Sequence, residues 1–319
     1  MPVALLVGVL TYIDPRQLLE VFKSTDLGQL VLLFFASFVL IWISCLKWRM
    51  FIRASGHDPK LLYLIRLYVL GYFVNLVSPS TFGGDVVRSY QLAKTSGKTY
   101  ESFSSTFLER FTGLIAMAIL SIFAVILGSS ETRGLELPVY LFSLIVFLGS
   151  VVSFTKWGIL LFERVALSLC SFFGSKIRNK VSGFISKIKE ASDFARSDFK
   201  LIAKTIVISL VFHFCTIWNT KLAANAIGWW SAPVDGLLVV VPLVLIVSAI
   251  PITPGGIGLQ EGAFVFLLQR IGAGREEALA VALLLRAKSI VLGILGAVIW
   301  FGLDRNGSLR SKHKNESKS

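Results

Sequence analysis

Pro79-Ser80-Thr81-Phe82-Gly83-Gly84-Asp85 and Pro251-Ile252-Thr253-Pro254-Gly255-Gly256-Ile257-Gly258 are the stretches whose reading decides the fold. Pro, Gly and Gly recur at the same offsets, and Thr81 matches Thr253. Proline stops one helix, and glycine allows a tight break before the next. A single Pro-Gly loop signals only a turn. Here there are two matching copies, each between an apolar leg and a short amphipathic leg, and that points to a repeated architecture.

The surroundings of the two copies are apolar. Of the 319 residues, 55% are hydrophobic and 16% charged, against roughly 25% charged in soluble domains. Leu27–Leu46, Leu137–Thr155 and Gly236–Ile257 carry no Asp, Glu, Lys or Arg. Runs near 20 residues match a hydrocarbon core ~30 Å thick at ~1.5 Å per helical residue. Apolar segments fall at 2–13, 27–46, 61–78, 100–128, 137–157, 200–222, 236–250 and 277–303. The first has no basic n-region, so it reads as a spanning helix with a clipped start rather than a signal peptide. Residues 1–303 form one integral membrane domain. Within it, 158–199 alternates basic and apolar residues at helical spacing. That segment is expected to lie on an anionic membrane surface or to form a cytosolic linker helix. Residues 304–319 read as a disordered basic tail.

The net charge of +13 does not indicate nucleic acid, because the basic residues sit in loops between apolar runs. Cys45, Cys170 and Cys215 lack metal-type spacing, and His57, His213 and His313 are scattered. The expectation is no metal and no cofactor. No phosphate-binding loop for ATP is present.

Charge also orients the chain. The loop with Lys47, Arg49, Arg53 and Lys60, the 158–199 segment and the tail are basic and should be cytoplasmic. Residues 14–26, 129–136 and 223–235, with Trp229 and Trp230 as an interfacial belt, should be external. If every apolar segment spanned, these assignments would conflict. They are reconciled if 61–97 and 236–272 are re-entrant hairpins entering from opposite faces, with return legs Phe82–Gly97 and Ile257–Gly272 of about 24 Å. The predicted fold is therefore an all-α polytopic membrane protein with about six spanning helices plus two re-entrant helical hairpins in an inverted repeat. Both termini are cytoplasmic, in the inner or plasma membrane.

The hairpin tips carry the candidate site. Free backbone N–H groups and positive helix ends there favour anions, phosphate especially. Asp85, Arg88 and Glu261 lie just past the tips. Glu109, Arg110 and Arg286 sit inside apolar segments, where charges must pair or line a polar cavity. Arg110 lies 31 residues after Pro79 and Arg286 lies 35 after Pro251. Each can bind a phosphate or pair with an acid. Asn75, His213, Asn219 and Lys221 are weaker candidates, and Arg66 and Lys288 read as snorkelling side chains.

Asn75, Pro79, Gly83-Gly84-Asp85, Arg88, Glu109-Arg110, Pro251, Pro254, Gly255-Gly256, Gly258, Glu261 and Arg286 resemble the lysylphosphatidylglycerol synthase transmembrane-region family, a flippase-like domain of bacteria and archaea. The resemblance covers nearly the whole chain, and the Pro-Gly-Gly-x-Gly-x-x-Glu element is its most specific part. It implies a lipid- or anion-binding site at these residues and no catalytic residue among them. In some relatives the domain precedes a soluble aminoacyl-transferase domain, and others stand alone; with about 15 polar residues after the last helix, the expectation here is a stand-alone member. The leading expectation is a lipid translocase for an anionic or phosphate-bearing lipid. The alternatives are a non-catalytic partner presenting lipid to a separate transferase, and an embedded head-group transferase.

Overall fold

The computed structural model describes residues 25–78, 82–126, 136–154, 198–249 and 253–305, with a few isolated positions between them. The first apolar stretch at 2–13, Pro79, Pro251, Cys170, nearly all of the 158–199 segment and the tail beyond 305 lie outside the described residues.

The protein is all-α. Its helices are α1 (Leu27–Ala54), α2 (Leu61–Val77), α3 (Gly83–Ser96), α4 (Thr99–Ile126), α5 (Glu136–Phe154), α6 (Phe199–Ala226), α7 (Val234–Ala249), α8 (Leu259–Arg270) and α9 (Arg275–Arg305). Among the described residues, α1, α4, α6 and α9 are long and apolar enough to cross a membrane, while α2 and α7 are shorter apolar helices. At 17 and 16 residues, α2 and α7 reach only about 25 Å. Their return helices α3 and α8, of 14 and 12 residues, reach about 20 Å.

The chain repeats itself in register. Helices α1 and α6 are each 28 residues long and begin 172 residues apart (199 minus 27). Each is opened by an aspartate whose carboxylate accepts backbone N–H groups of the first turn: Asp26 from Gly28 and Gln29, Asp198 from Leu201. The same 172 separates Pro79 from Pro251 and Gly84 from Gly256. Beyond the tips the offset becomes 176, from Thr99 to Arg275 at the starts of α4 and α9. The second tip is therefore four residues longer than the first.

Packing follows the repeat. In the first half α1 lies on α2 and α4, and α3 lies on α2 and α4. In the second half α6, α7, α8 and α9 repeat these contacts, and across the halves α2 packs on α9 as α7 packs on α4. The central pair α1/α6 is antiparallel. The Asp26 amide donates to the Ala226 carbonyl at 2.8 Å at one end, and Phe51 packs against Ile202 at the other. Equivalent helices running in opposite directions are what an inverted repeat requires.

The hairpins accordingly enter from opposite ends of the bundle. The start of α2 and the end of α3 meet where Tyr63 Oη contacts the Gln91 carbonyl and Thr95 Oγ1 at 3.3 and 3.1 Å. Lys98 ties that end to the α1–α2 loop by a 2.8 Å bond to the Ser55 carbonyl. The second hairpin starts and ends beside the Asp26–Ala226 contact, where Gly236 on α7 leaves room for Ile271 after α8. Between α2 and α9 the backbones approach across Gly296, where a Cβ would lie 2.3 Å from the Val69 carbonyl oxygen. Small residues at such a crossing permit close packing in lipid.

Candidate functional site

The two tips meet. The Gly255 amide donates to the Ser78 carbonyl at 3.1 Å, so the chain breaks inferred from sequence touch each other inside the bundle. The tips are built differently. Gly83 and Gly84 open α3 in helical conformation. A Cβ at Gly84 would fall 2.3 Å from the Gly71 carbonyl oxygen and 2.8 Å from Asn75 Oδ1. Glycine there serves the close approach of α3 to α2. In the second tip Pro254–Gly256 form a tight turn, and Gly255, Gly256 and Gly258 have φ of 58°, 70° and 80°. Glycine there serves the left-handed backbone.

The expectation of free tip amides is corrected for four of them. Gly84 N–H donates to Asn75 Oδ1 at 2.7 Å. Gly255 N–H is held by Ser78, Gly256 N–H by the Thr253 carbonyl, and Gly258 N–H by Glu261 Oε2 at 2.7 Å. Asp85 and Glu261 already place negative charge on the first turns of α3 and α8. These four amides are used within the protein.

Those side chains form one cluster per half. In the first, Asp85 accepts from two arginines: Arg110 Nε and Nη2 at 2.7 and 2.9 Å, and Arg88 Nε at 3.0 Å. Arg88 also pairs with Glu109 and sits in the corner made by Trp48 and Tyr68, 4.6 and 4.5 Å from their ring centres. Tyr68 Oη donates to Glu109 Oε1 at 3.1 Å. Arg88 and Glu109 are buried, but the Arg110 side chain is 48% exposed. In the second cluster Arg286 pairs with Glu261 and also donates to the Gly255 carbonyl at 2.8 Å and to Gln260 Oε1 at 3.2 Å. Arg286 is 13% exposed. Each mid-helix arginine thus pairs with the acid 25 residues before it.

A family model, Lysylphosphatidylglycerol synthase TM region, matches residues 1–296. The chain belongs to this family. It is 25% identical over 306 residues to a UPF0104 membrane protein of Methanothermobacter thermautotrophicus, covering 89% of this chain and 86% of that protein. It is 28% identical over 263 residues to a UPF0104 membrane protein of Methanocaldococcus jannaschii, covering 76% and 99%. Glycosyltransferase AglD of Haloferax volcanii is 24% identical over 324 residues, which span 90% of this chain and 50% of that protein. No solved structure matches.

In this member of the family the weaker sequence candidates divide. Lys221 donates to the Trp230 and Ala232 carbonyls and closes the α6–α7 loop. Asn219 donates to the Leu33 carbonyl at 2.9 Å. His213 is buried with Nε2 unpartnered. Lys288 does not snorkel: its ammonium donates to Asn219 Oδ1 at 2.6 Å between α9 and α6. Arg66 is exposed. Sequence reasoning missed Trp48 and Tyr68, whose apolar-run setting hides a cation-binding role, and Lys47, which it took for the first charge of a loop. Lys47 is 4% exposed and donates to the Glu109 carbonyl and to Ser209 Oγ.

Proposed function

We propose that this protein is a lipid translocase acting on an anionic, phosphate-bearing lipid. The observation that carries the reading is Arg110, a half-exposed guanidinium in the middle of an apolar helix, beside two half-length hairpins that meet tip to tip. A charge at that depth is costly unless it pairs or faces a polar cavity. Asp85 occupies one edge of the guanidinium and leaves the rest for a ligand oxygen. Broken helices meeting between inverted repeats are a recurrent way to hold a substrate near the bilayer midplane. The end of the bundle that carries Arg49, Arg53, Lys60, Lys94 and Lys98 would face the cytoplasm of the plasma membrane, as would both termini.

Reconstitution into liposomes tests the activity. Labelled phospholipid or polyprenyl phosphate should cross between leaflets faster than in protein-free vesicles, and Arg110→Ala should abolish the gain. A rate equal to empty vesicles for every lipid class would remove the proposal. Orientation is tested by Thr99→Cys and Arg275→Cys, which occupy equivalent helix starts and should label from opposite faces. Labelling of both from one face would remove the inverted insertion.

The partial match to a protein named glycosyltransferase favours a second reading, a partner that presents a lipid to a separate transferase. Co-purification of such an enzyme, with no lipid movement by the pure chain, would select it.

A further inference from the structure

The halves share one more pair of features, away from the tips. The Lys47 ammonium on α1 donates to Ser209 Oγ on α6 at 3.0 Å and to the Glu109 carbonyl on α4 at 2.8 Å. The 172-residue repeat maps Lys47 onto Asn219 and Ser37 onto Ser209. The mirrored contact is present: Asn219 Nδ2 lies 3.4 Å from Ser37 Oγ. Asn219 carries no charge, but Lys288 on α9 brings an ammonium to Asn219 Oδ1 at 2.6 Å. Each half therefore sets one amine beside the α1/α6 contact, seen from opposite ends of the bundle. Ten residues separate Ser37 from Lys47, and ten separate Ser209 from Asn219. That is about 15 Å along a helix, half of the ~30 Å hydrocarbon thickness.

Neither amine has a carboxylate partner among the described residues. The first cluster sets Asp85 and Glu109 against Arg88, Arg110 and Lys47. The second sets Glu261 against Arg286, with Lys288 further along the same helix. Each half keeps one positive charge in excess. Two local observations point to a ligand. Among the described residues, Lys288 uses one acceptor for three donors. Beside Lys47, the buried His213 Nε2 makes no hydrogen bond of normal geometry among the described residues, with the Gly113 backbone next to it. A Cβ built on Gly113 would lie 3.5 Å from His213 Nε2 and 3.7 Å from Lys47 Nζ, in ordinary contact with both. A space of about methyl size therefore adjoins both polar groups.

We propose that Lys47 and Lys288 are two stations for the phosphoryl oxygen of a lipid head group, one in each half of the membrane. This rests on the translocase reading and adds where the charge dwells. One excess cation per station matches the single negative charge of a phosphodiester. The Lys47 station is closed in this structure, with α1, α4 and α6 packed around it, whereas Lys288 is partly exposed. A head group leaving one station meets the other about 15 Å on, on the far side of the α1/α6 contact.

The test uses the purified full-length protein and fluorescently labelled phosphatidylglycerol in detergent micelles. Lys47→Met and Lys288→Met should each weaken binding about tenfold or more, the worth of one charge-assisted hydrogen bond. Their melting temperatures should hold or rise, because an uncompensated buried charge gives way to an apolar side chain of similar size. Lys47→Arg and Lys288→Arg, which keep the charge, should retain most binding. Wild-type binding in both Met variants would overturn the stations, and so would binding lost only in proportion to unfolded protein. Displacement of the label by micromolar inorganic phosphate would make these free-anion sites and overturn their assignment to lipid. If the Met variants bind and move lipid normally while Arg110→Ala does neither, the stations fail and the translocase reading stands. If the lysines bind lipid that the wild-type protein never moves, the stations stand and that reading fails.

Discussion

The two halves of the molecule carry the same parts and use them differently. In the second half, Arg286 spends its donors on Glu261, on the Gly255 carbonyl and on Gln260, clamping its own tip. In the first, Arg110 binds Asp85 among the described residues and stays half exposed, while Arg88 also holds Asp85 and Glu109, with Trp48 and Tyr68 against its guanidinium. The Gly255 carbonyl and Gln260 lie within reach of Arg286, whereas Gly84 stands where the 176-residue offset places Gln260. Each half carries an acid–arginine pair: in the second it is an enclosed latch, in the first a more exposed site.

Arg286→Ala is the strongest way to break that comparison. It strands a buried Glu261, and we expect a loss of about 3–5 kcal/mol, read as poor yield or a lower melting temperature. Gly84→Ala comes next. Its Cβ would meet the Gly71 carbonyl oxygen at 2.3 Å, which is backbone and cannot swing aside, so the cost should approach ~3 kcal/mol. Arg110→Ala should cost about 1 kcal/mol or less, since Asp85 keeps Arg88, yet it should remove lipid binding in a labelled-lipid titration. If it destabilises as much as Arg286→Ala, the distinction between latch and open site disappears.

The smallest effect is expected outside the membrane, at Asp58. Its carboxyl is held down to about 2 by its hydrogen bond to Arg53, with Arg49 assisting. A depressed carboxylate contributes stability above its unfolded value near ~4 and loses it as pH falls through the folded value. The small gap in melting temperature between wild type and Asp58→Asn should therefore be present at pH 7 and vanish between pH ~4 and ~2.

Much of the fold was legible because hydropathy and charge act over whole segments. The Pro-x-x-x-Gly-Gly strings, the uncharged runs and the basic loops were enough to predict two hairpins, and in the structure they enter from opposite ends of the bundle. The same register held further signals that sequence reading passed over: Asp26 with Asp198, Ser37 with Ser209, and Lys47 with Asn219, all 172 residues apart. The candidate site was less legible. Asp85, Arg88, Glu109, Arg110, Glu261 and Arg286 stood out as charges in apolar surroundings, but their pairing did not, since 25 residues of helix and turn separate each mid-helix arginine from its acid. Trp48 and Tyr68 read as two more apolar-run aromatics, and only the fold sets both against Arg88.

The sequence by itself determined that this is a membrane protein of repeated halves, with ionisable groups inside its apolar segments. Those properties follow from composition, period and the cost of charge in hydrocarbon, which need no knowledge of neighbours. Only the tertiary structure decided that the tips touch, that four of their amides are bonded to the protein's own oxygens, and that the Arg286 side chain is 13% exposed while that of Arg110 is 48% exposed. A hydrogen bond depends on ångström distances between side chains far apart in the chain, and those distances exist only once the helices have packed.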